Sequence, residues 1–202
     1  MTVQGTQEWH MERCGCATAS RFAEIMTGKK GRADYLNQLV AERLSLTPTE
    51  TYSNWHTRRG NEQEPVAKVA YMAKTAQIIE EVGFIRHPAL KAGASPDGLV
   101  EDDGGIEIKS VIPTVQLATI ESGSYPQVHK PQIQGNLWIT GRKWWDFVSF
   151  CYDMREGLNP DLQLYIFRVE RDESYIDRLE IEVSRFLREI DEKVESFLSH
   201  SF

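Results

Sequence analysis

One short stretch, Ile106-Glu107-Ile108-Lys109, constrains this chain more than any other part of its sequence. The alternation of isoleucine with a charged residue predicts a β-strand whose isoleucines face a core, while Glu107 and Lys109 share the opposite face. The short apolar run Leu99-Val100 and the turn signal Asp102-Asp103-Gly104-Gly105 come just before it. Residues 97–109 are therefore predicted to form a β-hairpin that brings Asp97 back towards Glu107.

Two carboxylates placed in this way are typical of a metal-dependent hydrolase. Asp97, Glu107 and the carbonyl oxygen of Ile108 offer hard oxygen ligands of the kind that Mg²⁺ prefers. Lys109 would then orient a water for attack on a phosphodiester while the metal stabilises the developing charge. A second interpretation stays open, because a glutamate beside a lysine also forms an ordinary solvated strand face, and Ser95-Pro96-Asp97-Gly98 is also an ordinary turn.

Length and composition limit the class of protein. The chain has 202 residues, 41% of them hydrophobic, which suits one sizeable core, so we expect a single domain over residues 1–202. The sequence has neither a membrane-spanning apolar stretch nor the pattern of a signal peptide, which predicts a cytoplasmic protein without a membrane partner. The three cysteines, Cys14, Cys16 and Cys151, lack a Cys-x-x-Cys pair, which argues against a disulfide framework and a four-cysteine metal site.

The net charge of −7 is unusual for a protein that acts on nucleic acid, because phosphate binding favours a basic surface. The charges are nevertheless unevenly distributed. Much of the acid follows residue 170, whereas basic residues cluster as Lys29, Lys30 and Arg32, as Arg58 and Arg59, and as Arg142 and Lys143. A basic channel on an acidic body is compatible with this pattern.

Apolar periodicity places helices before and after the predicted strands, so the predicted fold is α/β with a central mixed β-sheet flanked by helices. Ile78-Ile79 and Val82-Gly83-Phe84-Ile85 predict a strand pair or one bent strand. Further strands are expected near 144–150 and 162–169. Helices are expected after Ser20, around 35–44, from Asn61, within 115–124, from Pro131, and as an amphipathic C-terminal helix over about 174–199.

Three polar residues on the predicted helices, Glu64, Gln132 and Gln134, are candidates for contact with the site. Glu64 follows Asn61 by three positions, so it either completes a capping box at a helix start or contributes an acid to the metal site. Gln132 and Gln134 lie two positions apart, which puts them on nearly opposite sides of a helix. Only one of these two glutamines can therefore face the site.

Six motifs, taken in order, resemble the phage lambda exonuclease family, the YqaJ-type viral recombinase group of the PD-(D/E)xK nucleases. The resemblance covers residues from about 7 to about 175, and its motifs are Trp9-His10, Thr18-Ala19-Ser20, Gly60-x-x-x-Glu64, Ser95-Pro96-Asp97-Gly98, Glu107-Ile108-Lys109 and Gln132-Ile133-Gln134-x-x-x-Trp138. It implies a restriction-endonuclease-like core and a Mg²⁺-dependent 5′→3′ exonuclease, with Mn²⁺ as a substitute metal. Such an enzyme degrades one strand of linear double-stranded DNA and leaves a 3′ overhang for a partner single-strand annealing protein in phage recombination.

The resemblance also implies roles for individual residues. Asp97 and Glu107 would be metal ligands together with the carbonyl of Ile108, and Lys109 would position the attacking water. Glu64 matches a glutamate of the family's site, which favours the metal-site role over the capping box, and Gln132 matches a glutamine that lines the site. His129 stands where some relatives have a tyrosine, so both a contact with DNA phosphate and a filling role at the rim stay open.

The family recognises the 5′-terminal phosphate of DNA in a small basic pocket. Arg13 and Ser20 match positions of that pocket. Lys30 is a looser match where an arginine is more usual, which keeps the charge but loses bidentate geometry. Without the resemblance, Arg13 would be interpreted as one half of an ordinary surface ion pair.

Relatives assemble as a ring-shaped homotrimer around DNA, which would make digestion processive and reconcile an acidic exterior with a basic lumen. A phage or prophage gene expressed in a bacterial cytoplasm is the expected source. Two other classes remain as alternatives: an endonuclease with the same core that cuts closed circular DNA, and a non-catalytic DNA-binding module, which normally loses one of the acids or the lysine. A related iron–sulfur exonuclease group needs four cysteines, and this chain has three.

Overall fold

The computed structural model describes residues 2–28, 30–49 and 55–199, and it also leaves the side chains of residues 30, 55–58 and 61 undescribed. This part of the chain contains both helices and strands. In order they are α1 (Gln7–Arg13), β1 (Ala17–Thr18), α2 (Phe22–Thr27), α3 (Lys30–Ser45), α4 (Trp55–Thr75), β2 (Ile79–Glu80), β3 (Ile85–Arg86), β4 (Ala92–Ala94), β5 (Gly98–Val100), β6 (Gly104–Ser110), α5 (Pro113–Ser122), α6 (Lys130–Thr140), β7 (Trp144–Phe150), β8 (Leu164–Glu170) and α7 (Glu173–Ser199).

Five strands form the central sheet, in the order β2-β5-β6-β7-β8. The β6 and β7 strands run parallel, and the other neighbours are antiparallel, so the sheet is mixed as predicted. The predicted hairpin is also confirmed, with Gly98 opposite Ile106. A second, three-stranded sheet in the order β1-β4-β3 was not predicted, because strands of two or three residues are too short to show an alternating pattern.

The central sheet separates two hydrophobic cores. Ile106 and Ile108 of β6 belong to the smaller core, together with Ala67 and Tyr71 of α4. The larger core lies on the other face, where α2, α3, α6 and α7 pack together and Phe147 projects from β7. Helices therefore cover the sheet on both sides, and β6 presents its charged residues towards the larger core.

The α7 helix shows how sequence periodicity translates into packing. Its buried residues recur three, four and seven positions apart, which places them on one face of the helix: Ile176, Leu179, Val183, Phe186, Leu187 and Ile190. The acidic residues mostly lie on the exposed side. Among the described helices, none combines the length and the apolar composition needed to cross a membrane.

Two sequence-based expectations about the middle of the chain are wrong. The α4 helix begins at Trp55, so Asn61 does not cap it and Glu64 lies in its interior with Pro65. Packing of Ala67 and Tyr71 in the smaller core keeps the segment helical despite the proline. The β2 and β3 strands do not pair with each other either, since β2 pairs with β5 in the central sheet and β3 pairs with β4 in the small one.

Two glycines let β6 lie close to β7. A Cβ at Gly105 would meet the indole of Trp145, and one at Gly104 would meet the indole of Trp144. Each indole therefore packs against the glycine backbone, in the space that a side chain would otherwise occupy. This close packing at the start of β6 fixes the strand that carries Glu107 and Lys109.

Candidate active site

Asp97 and Ile108 meet where β5 begins, across from the middle of β6. The Ile108 N–H donates to Oδ2 of Asp97 at 2.6 Å, so the carboxylate takes the place of a strand partner. The N–H and C=O of one strand residue point to the same neighbouring strand. The carbonyl of Ile108 therefore also faces the Asp97 side, where β5 no longer pairs with it.

Glu107 is almost fully buried, with 2% of its surface exposed, so the solvated strand face is the wrong interpretation for this residue. Its Oε1 accepts hydrogen bonds from Nζ of Lys109 at 2.7 Å and from Nε2 of Gln132 at 2.6 Å. Its Oε2 accepts one from Nδ2 of Asn136 at 3.2 Å. A buried carboxylate is tolerated only with such partners.

Lys109 is held between an acid and an amide. Beyond its bond to Glu107, its Nζ donates to Oε1 of Gln132 at 3.2 Å. Burial lowers the pKa of Lys109, but the nearby carboxylates of Glu107 and Asp97 outweigh burial and leave this pKa above its usual value. Lys109 is therefore positively charged at neutral pH, and its two hydrogen bonds hold its ammonium group in place.

The surroundings of Asp97 disfavour its charged form, whereas those of Lys109 favour its charged form. Burial, followed by the charges of Glu107 and Glu64, raises its pKa well above the usual range, although Lys109 and the Ile108 N–H act in the other direction. An excess of negative charge therefore gathers at this edge of the sheet. A divalent cation bound there would offset the repulsion between the acids.

Glu64 approaches this edge from α4. Its carboxylate pairs with Lys68 at 2.9 Å, and Lys68 also pairs with Glu81 at 3.0 Å. Within the part of the chain that the structure describes, no three His, Cys, Asp or Glu side chains form a group close enough to hold one metal ion. The compact candidate ligand set is accordingly Asp97, Glu107 and the Ile108 carbonyl, with Glu64 acting through its charge from further away.

His129 lies beside the site, immediately before α6. It is half-buried, and its ring stacks on Phe147 with centroids 5.5 Å apart. Burial, assisted by the charge of Lys109, lowers the pKa of His129 to about 4. The ring is thus neutral at neutral pH, which favours a packing role over attraction to a DNA phosphate.

Arg13 belongs to a second polar cluster, next to the acids but separate from them. Its Nη1 donates to Oγ of Ser95 at 2.9 Å, and its guanidinium lies over the ring of Trp9 at 4.0 Å. The indole N–H of Trp9 donates to the same Ser95 hydroxyl at 3.1 Å. Because Ser95 is two residues from Asp97, this cluster is joined directly to the acidic edge.

A cavity of about 120 Å³ opens beside Arg13, lined among others by Trp9, Thr18, Arg21, Tyr35 and Gln38. Burial lowers the pKa of Arg13, and this guanidinium forms no ion pair with a carboxylate of the described residues. The ordinary surface ion pair is therefore not what the structure shows for Arg13. A half-buried guanidinium without a carboxylate partner among the described residues favours an anionic ligand.

Of the other two residues predicted for this pocket, Ser20 alone has a described side chain. Ser20 is exposed, with its Oγ 3.3 Å from Oγ1 of Thr18, and it does not line the cavity itself. Lys30 begins α3, but its side chain lies outside the described part of the structure.

Sequence reasoning did not single out Asn136, and it did not predict that Arg13 and Trp9 stack together and both donate to the Ser95 hydroxyl. Asn136 had a usable signal, since it follows Gln132 by four positions and so shares its helix face. The expected separation of the two glutamines is observed: the amide of Gln134 donates to the Glu170 carbonyl at 2.9 Å and accepts from the Asp172 N–H at 2.9 Å, away from the site.

The mixed sheet, with an acid before β5 and a Glu-x-Lys sequence on β6, defines a nuclease of the PD-(D/E)xK class with the restriction-endonuclease-like fold. Residues 8–143 match the family described as the YqaJ-like viral recombinase domain. The chain therefore belongs to this family. The comparison with curated proteins gives no significant match.

Solved structures agree with this assignment. An alkaline exonuclease (LHK-Exo) from Laribacter hongkongensis is 40% identical, with a TM-score of 0.87 over 95% of this chain and 96% of that one. Its complex with dAMP gives the same values. A phage-related exonuclease from Haemophilus somnus 129PT is 14% identical, with a TM-score of 0.70 over 90% of this chain and 96% of that one, which shows likeness of fold alone.

Proposed function

We propose that this protein is a Mg²⁺-dependent 5′→3′ exonuclease that degrades one strand of linear double-stranded DNA and leaves a 3′ overhang. The observation that carries the proposal is the convergence of Asp97, Glu107, the Ile108 carbonyl and Lys109 at one edge of the central sheet. The 40% identity with an alkaline exonuclease over nearly the whole chain supports the same conclusion.

Nucleases of this class use a divalent metal ion. Asp97, Glu107 and the Ile108 carbonyl would hold it here, because an all-oxygen donor set suits Mg²⁺, with Mn²⁺ as a substitute. When bound, the ion would supply a Lewis acid that stabilises negative charge on the phosphoryl oxygens and makes the attacking water more acidic. The raised pKa of Asp97 supports a cation at this place, since burial and the nearby carboxylates disfavour the ionised form that a bound cation would favour.

The surrounding residues would orient the reactants. Lys109 carries a fixed positive charge at the end of a short hydrogen-bond chain, which suits it to orient the attacking water and to stabilise the transition state. Gln132 bonds both Lys109 and Glu107, so it would maintain their separation. Glu64 would add negative charge from α4, held in place by Lys68.

The cluster around Arg13 would recognise the 5′-terminal phosphate. Arg13 is a half-buried guanidinium beside a small cavity. The family resemblance adds Ser20 and Lys30 to the proposed pocket. Ser95 connects this pocket to Asp97 across a single proline. A phosphate held by Arg13 would therefore place a nearby phosphodiester at the acids, which accounts for cleavage from an end rather than within a strand.

The same proposal extends to assembly and partners. A ring-shaped homotrimer around DNA would keep the enzyme on its substrate, and a single-strand annealing protein would receive the 3′ overhang. The enzyme would act on DNA in the cytoplasm of a bacterial host, in recombination of a phage or prophage. The match to a viral recombinase domain supports this setting.

One digestion assay tests the proposal. Linear duplex DNA with and without a 5′-phosphate, and closed circular duplex, are incubated with Mg²⁺ or with EDTA. We expect Mg²⁺-dependent loss of one strand from phosphorylated linear ends, with circles untouched. Cut circles would identify an endonuclease instead, and an absence of cleavage with Mg²⁺ and with Mn²⁺ would favour a DNA-binding module.

A further inference from the structure

The buried amide of Asn136 contacts one of the proposed metal ligands without belonging to the proposed ligand set. Its side chain is 1% exposed, and its Nδ2 donates to Oε2 of Glu107 at 3.2 Å. Gln132, one helical turn earlier on α6, donates to the other oxygen of the same carboxylate at 2.6 Å. The two amides therefore hold both oxygens of Glu107 from one helix face.

The hydrogen bonds are unequally divided between these oxygens. Oε1 accepts two of them, from Lys109 and Gln132, which fills its two lone-pair directions. Among the described residues, Oε2 accepts a hydrogen bond from Asn136 alone, and so keeps acceptor capacity. A neutral amide can provide this bond without adding charge to a site that already gathers three acids.

We propose that Asn136 is a positioning residue for metal binding: it fixes the rotation of the Glu107 carboxylate so that Oε2 keeps a lone pair for Mg²⁺. This inference rests on the proposed nuclease function. Residues that hold metal ligands from outside commonly contribute 10- to 100-fold to metal affinity, which sets the scale of the expected effect at roughly tenfold or more.

The chain provides a matched control on the same helix. Gln134 is equally buried, at 1% exposure, and its amide makes two hydrogen bonds. Its partners are the backbone of Glu170 and Asp172 rather than Glu107. Loss of either amide should lower stability, whereas only loss of the Asn136 amide should weaken metal binding.

The experiment is calorimetric titration of Mg²⁺ into full-length wild type, Asn136→Ala and Gln134→Ala without DNA. We expect the Mg²⁺ dissociation constant to rise about tenfold or more for Asn136→Ala and to stay at the wild-type value for Gln134→Ala. In digestion assays, Asn136→Ala should need correspondingly more Mg²⁺ for half-maximal rate, with the rate recovering at high Mg²⁺. If Asn136→Ala does not fold, Asn136→Leu keeps the branched shape at Cγ and removes both polar atoms of the amide, including the donor to Glu107.

Two outcomes would overturn the inference. Tight Mg²⁺ binding by a folded Asn136 variant would show that the amide does not position Glu107, and an equal loss of affinity in Gln134→Ala would show an effect of helix stability instead. Wild-type protein that neither binds Mg²⁺ nor degrades DNA would refute the proposed function itself. The wild-type measurement thus separates failure of the inference from failure of the function.

Discussion

Nζ of Lys109 lies 2.7 Å from Oε1 of Glu107, two residues apart on the same strand. Residues at this spacing share one face of a strand, so the extended conformation of β6 is enough to bring the two side chains together. The Glu107 side chain is buried, whereas the Lys109 side chain is 29% exposed. The lysine can therefore hold the buried acid and still reach a reactant at the site opening.

Replacement of Lys109 by alanine should abolish detectable DNA cleavage and leave the fold intact, because Glu107 retains hydrogen bonds from Gln132 and Asn136. We expect the rate to fall by at least about 100-fold, the scale of a lost catalytic group. Asp97→Ala should have the same effect. Lys143→Ala removes an exposed lysine and is the control. Wild-type-like cleavage by either site variant, with circular dichroism showing a folded chain, would refute the mechanism.

The Glu64→Gln variant tests whether an acid on α4 contributes to the site. We expect the digestion rate at limiting Mg²⁺ to fall by about tenfold or more, because the substitution removes negative charge that favours a bound cation. Glu62→Gln, on the exposed side of the same helix, should digest DNA normally. Equal rates for the two variants would assign Glu64 to its pairing with Lys68 alone.

Arg13→Ala should remove the proposed preference for phosphorylated ends. Hydrogen bonds to charged groups contribute about 1.5–3 kcal/mol, so the rate on 5′-phosphorylated duplex should fall by about 10- to 100-fold. The rate on 5′-hydroxyl duplex should change little. The measurement compares the two substrates for wild type, Arg13→Ala and Arg185→Ala, an exposed arginine on α7. A preserved preference in Arg13→Ala would place phosphate recognition elsewhere.

His129 should make the fold sensitive to mild acid. The pKa of His129 is about 4 in the folded protein, against an ordinary value of 6.5. Between these two pH values the unfolded chain therefore binds a proton that the folded chain does not. Stability contributed by neutral His129 is complete above pH 6.5 and declines as the pH falls towards 4. Urea unfolding at several pH values should show a flatter pH dependence for His129→Phe than for wild type. Parallel curves would contradict the lowered pKa.

Gly105→Ala should destabilise the protein by about 1–3 kcal/mol, because its new methyl group would overlap the Trp145 indole in the core. Gly60→Ala is the matched control: it lies in α4, and a Cβ there meets no neighbour. Alanine should stabilise that helix position by up to about 1 kcal/mol. Free energies of unfolding from urea titrations measure both changes, and a neutral Gly105→Ala would show that β6 can move away from β7.

Local patterns allowed several features to be predicted. The hairpin at 97–109 combines a strong turn signal with strict alternation, and both act over neighbouring residues. The opposite facing of Gln132 and Gln134 follows from helix geometry alone. The start of α4 could not be read in this way, because Pro65 and a plausible cap at Asn61 point to a boundary that packing of Ala67 and Tyr71 overrides.

The sequence by itself determined the mixed α/β fold, the strand that carries Glu107 and Lys109, and the return of Asp97 towards them, because turn chemistry and side-chain alternation are local properties. Only the tertiary structure decided that Glu107 is buried beneath α6 and bonded by Asn136, and that Arg13 reaches Ser95 beside Asp97. These contacts join segments far apart in the chain. They depend on how helices pack against the sheet, which no short pattern in the sequence encodes.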